Sequence, residues 1–460
     1  MTEAGRRGAS ETEAECRGAS ETEAGTLAGW ALGLTLDAVP ARARLAAIRH
    51  LLDGFGCAVA GGPHAAPAVE VALGLGGPPE ATVIGTRHRV GAPAAALANG
   101  TLVHALDFDD THAGGLVHAT APVLPAAFAV GEETGASGGE VLVAALAGYE
   151  AICRLGAAVP HGFHARGLHA TSACGVLAAA LVAARLYGLT PPQAVHALGI
   201  AGSQAGGLLE FLSTGADTKR LHPGLAAHAG ILAARLARAG ATGPGTVLEG
   251  EHGLYGALLG RAGVRPAAGL GEVWEVSRIT IKPYPACQLL HAALDAAATL
   301  GTPDAVESVV AEVHPDAAAI VCGPGKERPR TSYEAKFSLP WSVAAMLLDG
   351  EVSVRTYERV ERPEVVALAG RITHEVVGSP GVAADQPGLL RVSCAGGRQV
   401  TGQVARSSGG PDDPAVDELV RRKALANGLP AAMIGALRRL EELPEVTTLM
   451  AGLAAGQERP

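Results

Sequence analysis

From Ala41 to about residue 240 the chain repeats one pattern: Ala, Leu and Val recur at three- and four-residue intervals in runs of several helical turns. Behind Pro40, the apolar positions Leu45, Ile48, Leu51, Leu52 and Phe55 lead into the small-residue stretch GFGCAVAGG. The same spacing predicts helices over about 91–105, 139–157, 172–187, 192–206 and 223–240. Aromatic residues are only 3% of a chain that is 48% hydrophobic. Side chains this small let helices approach closely, so the first 270 residues read as a helical bundle.

The pattern changes at VWEVSRITIKPYPACQLLHAALDAA. Residues 273–281 carry β-branched side chains in near alternation, Pro283 and Pro285 interrupt the run, and helical spacing resumes near Cys287. A β-rich stretch at 306–314, a helix around 341–349, a charged helix at 363–376 and a strand pair within 389–404 are expected to follow. Beyond the Gly-Gly-Pro break at 409–411, DDPAVDELVRRKALANGL and PAAMIGALRRLEEL return to helical spacing and are expected to rejoin the first bundle. At 460 residues the chain exceeds what one core usually spans. The fold class is therefore mainly α: a large all-α domain built from residues 26–270 and 409–460, with a smaller α+β domain inserted at 271–408.

At the N-terminus, GASETEAECR at 8–17 is followed by GASETEAG at 18–25. This tandem repeat is too polar and acidic to bury a face, and residues 1–25 are expected to be disordered and dispensable. The seven cysteines are scattered and never spaced as CxxC. That points to a reduced, cytoplasmic protein and away from iron–sulfur and structural zinc centres. Thirty-six basic against forty-five acidic residues give a net charge of -9 with no basic run, so nucleic acid is not an expected partner. No stretch approaches the roughly 20 uninterrupted apolar residues of a membrane span, and the N-terminus lacks the apolar core of a signal peptide.

Only 18% of residues are charged, yet HALDFDDTHAGGLVHAT at 104–120 concentrates His104, Asp107, Asp109, Asp110, His112 and His118. Three readings are open. The acids can cap a following helix or accept backbone N–H bonds. His104, Asp107 and His118 can bind iron, manganese or zinc, although no HxD or HExxH spacing accompanies them. The imidazoles can carry protons. Further polar stretches lie beside glycine or proline: GFHARGLHATSACG at 162–175, STGADTKRLHPGLAAHAG at 213–230, IKPYPACQLLHAA at 281–293 and SYEAKFSLPWSVAAMLLDG at 332–350. Lysine is scarce, and Lys219 and Lys282 stand in otherwise uncharged or loop-like settings, as expected of cations that hold substrate carboxylates.

On these stretches, together with DGFGCAVAGG and ALANGTLVHALDFDDTHAGGLVHATAPVLPAA, the chain resembles the MmgE/PrpD family over about residues 27–440. That family includes 2-methylcitrate dehydratase, cis-aconitate decarboxylase and iminodisuccinate epimerase. The resemblance implies a large all-α domain made from both chain ends, a smaller α+β lid domain, a homodimer, and neither metal nor organic cofactor. Carried over motif by motif, it implies a pocket lined by Asp107, Thr111, His118, His169, Lys219 and Lys282. Where relatives with decarboxylase activity place a Tyr after the SLP-like stretch, this chain has Trp341, a candidate substrate contact that can donate a hydrogen bond but cannot act as an acid.

The chemistry common to such relatives is formation or loss of a carbanion-like centre beside a carboxylate. Cations must neutralise the carboxylates, and a group titrating near working pH must carry the proton. Lys219 and Lys282 suit the first task. His169 and His118 suit the second, with Asp107 orienting an imidazole. The expected activity is a cofactor-independent hydro-lyase acting on a hydroxylated di- or tricarboxylate such as 2-methylcitrate. A cis-aconitate-type decarboxylase or an iminodisuccinate-type epimerase is the alternative on the same scaffold, and a metal-dependent enzyme using His104, Asp107 and His118 is the alternative of another class.

Overall fold

The computed structural model describes residues 21–378 and 380–455. Its larger unit is a bundle of the helices Glu23–Gly33, Ala41–Gly61, Ala66–Leu75, Ala92–His104, Thr120–Thr134, Gly138–Ala157, Ala170–Leu186, Pro191–Gly202 and Thr218–Arg238, joined by Val416–Ala426 and Ala431–Arg438 from the C-terminal end. One hydrophobic core runs through all of these, from Ala24 to Leu453. Small residues set the spacing. A Cβ on Gly100 would lie 2.7 Å from the Cα of Gly224, so Ala92–His104 and Thr218–Arg238 cross backbone to backbone. A Cβ on Gly230 would lie 2.7 Å from the carbonyl of Val176, which brings Ala170–Leu186 equally close. These three helices carry site residues at their ends, and their close crossing brings those ends together.

Several boundaries differ from expectation. Most of the acidic tail, residues 1–20, lies outside the described residues, but its last part is folded. Thr22 caps the first helix, and the buried carboxylate of Glu23 accepts from Ala267 N–H at 2.9 Å and Arg265 Nε at 3.0 Å. Thr120–Thr134 has no counterpart among the predicted helices. It is buried on every side through most of its length and carries Pro125 inside it, so it shows no apolar stripe to read. Thr218–Arg238 starts ahead of the expected 223 and runs through Pro223, which moves Lys219 from a loop to the first helical turn.

The smaller unit has its own core, which starts at Ala286 and includes Leu294, Val309, Trp341 and Leu390. Val276, Ile279 and Ile281 belong instead to the core of the larger unit. Of the strand expected over 273–281, only Ile279–Thr280 forms, antiparallel to Thr111–His112. The main sheet has four strands in the order Ile372–Val376, Val306–Val313, Gly388–Cys394, Gln399–Val404. The first pair is parallel and the others antiparallel. The charged helix expected over 363–376 stops at Ala369, and the rest becomes the edge strand Ile372–Val376. Its backbone pairing with Val309–Val313 outweighs a helical pattern that is weak beyond Gly370. Among the described residues no helix is long and apolar enough to cross a membrane.

Candidate functional site

Residues 105–112 leave the helix Ala92–His104 as a buried loop whose backbone acceptors are taken by lysines from distant segments. Lys336 Nζ donates to Leu106 O at 2.7 Å, Lys282 Nζ to Asp107 O at 3.0 Å, and Lys423 Nζ to Phe108 O. The loop's acids are engaged too. Asp109 faces Nδ1 of His104 at 2.8 Å, and Asp110 accepts from Thr120 N–H at 3.1 Å with His50 at 3.0 Å. Asp107 holds φ at +52°, a left-handed conformation that Asp tolerates better than most residues but that still requires the surroundings to enforce it. The side-chain and backbone bonds from one buried ammonium, Lys282, supply that constraint.

At the centre, Oδ1 of Asp107 accepts from Lys282 Nζ at 2.7 Å and is ion-paired with Lys219 Nζ at 3.0 Å. Burial alone would push this carboxyl up, but the Lys219 and Lys282 ammoniums prevail and hold it well below the usual carboxylate range. Its Oδ2 is buried without a hydrogen-bond partner among the described residues. His118 lies just ahead of the helix Thr120–Thr134, its backbone N–H donating to Thr171 Oγ1 at 3.0 Å. Its Nδ1 meets the Asp110 carbonyl at 2.9 Å. A carbonyl only accepts, so His118 carries its proton on Nδ1 and presents a bare Nε2, 3.8 Å from Asp107 Oδ1. Burial, then Lys282 and Lys219, push its titration well below 6.5.

His169 caps the helix Ala170–Leu186, fixed by its N–H bond to Gly207 O at 2.8 Å. Its Nδ1 lies 3.0 Å from Nδ1 of His222. One of these nitrogens must donate and the other accept, so the tautomers of the two rings are linked. Burial and Lys219 also hold His169 well below 6.5, and His222 falls to about 4. Thr111, His118, His169 and Lys219 line one cavity, and Asp107 sits directly beneath Lys219. Helices beginning at Thr120, Ala170 and Thr218 all start here, and helix N-termini favour negative charge.

Two expected contacts lie elsewhere. Lys282 has no exposed surface and holds Asp107 from behind. Trp341 is fully buried in the core of the smaller unit, its indole N–H donating to Val360 O at 3.2 Å, so the geometry gives it no path to a substrate. Conversely, His222, His164 and Lys336 were not singled out from the sequence. All three lie within quoted motif stretches, so pairing polar residues inside such stretches is the signal that would have found them. Lys336 links the loop to the smaller unit, since it also donates to Pro285 O at 2.7 Å.

Burial pushes the Lys336 ammonium down to about 7 from 10.5. The unfolded chain therefore binds more protons between those values, and wild-type stability should rise with pH from about 7 to 10.5 by up to about 1.4 kcal/mol per unit. Lys336→Met should lose that component, read as the difference between the two urea-melt series across this range.

The ligand atoms of His104, His118 and His169 lie within 4.8 Å of one another, as do those of His104, Asp107, Asp109 and His118. His104 Nε2 is buried without a partner among the described residues. The surrounding charge opposes a cation: Asp107, the acid it would share, already carries two ammoniums.

The profile of the MmgE/PrpD N-terminal domain matches residues 25–267, and that of the C-terminal domain matches residues 284–443. Cis-aconitate decarboxylase of Aspergillus terreus is 30% identical over 375 residues, 75% of this chain and 76% of that protein. A cis-aconitate decarboxylase-like protein of Aspergillus oryzae is 30% identical over 363 residues, 72% and 74% of the two chains. Cis-aconitate decarboxylase of Mus musculus is 28% identical over 308 residues, 61% and 60%. With both domain profiles matched in order across the larger helical unit and most of the remainder, the chain belongs to the MmgE/PrpD family.

Proposed function

We propose that this protein is a lyase that forms a carbanion-like centre beside a carboxylate, with decarboxylation as its reaction. The observation that carries the reading is one cavity whose lining brings the Lys219 ammonium together with neutral imidazoles and a set of apolar side chains. The similar proteins named as decarboxylases support the same direction. In this reaction the bond from carbon to the leaving carboxylate breaks, and its electron pair moves into the adjoining unsaturated carboxylate held at Lys219. A proton from the His118 imidazolium then adds to carbon, so carbon dioxide leaves and one proton is consumed. An anionic substrate supplies the charge that keeps His118 protonated in the complex, reversing the effect of Lys282 and Lys219 on the empty site.

Dehydration of a hydroxylated carboxylate is the second reading. It is favoured by His118 and His169 standing with ring centroids 6.0 Å apart, one available as base and the other as acid. Incubation with cis-aconitate, 2-methylcitrate, citrate and iminodisuccinate, with products read by mass, separates loss of carbon dioxide from loss of water. A folded protein that turns over none of these acids or their close analogues would overturn both. Activity is expected to survive dialysis against EDTA; a loss restored by added metal would favour the His104 cluster as a metal centre.

The expected homodimer and cytoplasmic location stand as proposals. Leu225, Leu232 and Leu236 are exposed along one face of Thr218–Arg238, an apolar stripe suited to a two-fold partner. Leu236→Glu should shift the mass measured by light scattering from dimer toward monomer. A wild-type monomer at micromolar concentration would contradict the proposal.

A further inference from the structure

The lining of the cavity is of two kinds. Thr111, His118, His164, His169, Lys219 and Gln288 are its polar members, and Leu209, Phe211, Leu212, Leu289, Ile320 and Phe337 its main apolar ones. Among the described residues that line it, Lys219 is the one charged side chain, and its ammonium is already shared with Asp107 at 3.0 Å. Lys282 answers the same carboxylate from a fully buried position and does not reach the cavity. A tricarboxylate would bring three negative charges to a lining with one cation, leaving the third to neutral groups such as Thr111 and Gln288, and a buried carboxylate without a compensating charge is strongly disfavoured.

The apolar members have a second property. Phe211, Tyr333 and Phe337 form a small hydrophobic core of their own, separate from the two main ones, and Leu209, Leu212 and Ile320 pack against it while only partly buried. Leu209, Phe211 and Leu212 come from the larger unit, and Ile320, Tyr333 and Phe337 from the smaller. This is an unfinished core at the seam between the units, open toward the proton-handling groups.

Resting on the lyase reading of the same site, we infer that the substrate is a carboxylate bearing an alkyl arm: one or two carboxylates held at Lys219 and the helix starts, and a hydrocarbon chain of a few carbons completing the Phe211–Phe337 cluster. Phe337 joins the two halves, since the Lys219 ammonium lies 4.9 Å from its ring centre. The arm then begins where the charge ends. Cis-aconitate, with three carboxylates and no arm, leaves this wall unused.

The test is calorimetric binding to the full chain of succinate, 2-methylsuccinate, 2-butylsuccinate, 2-hexylsuccinate and the tricarboxylate tricarballylate. Kd should fall about fourfold for each of the first few methylenes buried, and tricarballylate should bind more weakly than 2-butylsuccinate. Affinity independent of chain length, or tightest for tricarballylate, would overturn the inference. Leu212→Lys places a cation in the wall and should move the ratio of the two affinities by tenfold or more toward tricarballylate. If that variant does not fold, Ile320→Ala should flatten the chain-length slope, and an unchanged slope counts against the arm. Binding is read apart from turnover: arm-dependent affinity without turnover of any acid would sink the lyase reading alone, whereas decarboxylation with arm-independent affinity would sink the inference alone.

Discussion

Asp107→Asn is expected to cost about 3–5 kcal/mol of folding stability, the usual penalty for leaving a buried charge unpaired. Asn tolerates the left-handed backbone at this position as well as Asp does, so the loss isolates the charge. Two ammoniums lose their common partner, and Lys282 has no exposed surface through which water could replace it. The sign of the pH dependence follows from the depressed Asp107 carboxyl. Its contribution is complete above the unfolded value of about 3.9 and is lost as pH falls through the lower folded value. The variant should therefore show a flatter acid limb in denaturant melts taken from neutral pH downward. A loss below about 1 kcal/mol, or an unchanged acid limb, would show that the triad is not a stabilising unit. Lys282→Met should act through the same unit, with a coupling to Asp107→Asn of roughly 2 kcal/mol or more in a double-mutant cycle. The sequence-based expectation that Lys282 grips a substrate carboxylate directly is thereby replaced: its ammonium is spent on Asp107.

His118→Gln is expected to lower kcat by about 10²- to 10⁴-fold, the range for removal of a positioned proton carrier. KM should change far less, because Gln keeps a donor near the Asp110 carbonyl. The pH profile separates the two chemistries. Free His118 titrates well below 6.5, so a reaction that draws its proton from the imidazolium gives kcat/KM falling as pH rises through neutrality. A reaction that uses the bare Nε2 as base gives instead a rise to a plateau below neutrality. His169→Gln should reduce kcat as well, and His222→Asn should alter the pH profile more than KM, since His222 fixes which nitrogen of His169 carries the proton. Normal turnover by His118→Gln would remove this residue from the chemistry.

Much of the molecule was legible in one dimension. The runs at 91–105 and 139–157 became Ala92–His104 and Gly138–Ala157, and the alternation within 389–404 became the antiparallel pair Gly388–Cys394 and Gln399–Val404. Each of these elements has the residue spacing or turn chemistry that marks its own type. The return of the chain's last helices to the first core was legible from their apolar spacing. The helix Thr120–Thr134 was not, because a helix buried on all sides carries no period. Nor was the fate of 273–281, whose β-branched residues serve the helical core more than a sheet.

The sequence by itself determined which side chains were available for chemistry: His118, His169, Lys219, Thr111 and Asp107 stand in motifs that bring the right groups near glycine and helix starts. Only the tertiary structure decided how they are divided. It placed Lys282 behind Asp107 across a separation of 175 residues, Lys336 on the Leu106 carbonyl across 230, and Lys423 on Phe108 across 315. It also withdrew Trp341 into the core of the smaller unit. Local spacing reports which face of an element is buried, and burial says nothing about the partner met there. A lysine that neutralises a substrate and one that neutralises a buried aspartate read alike in sequence, because the difference lies in which distant carboxylate the packing of the two cores delivers to its ammonium.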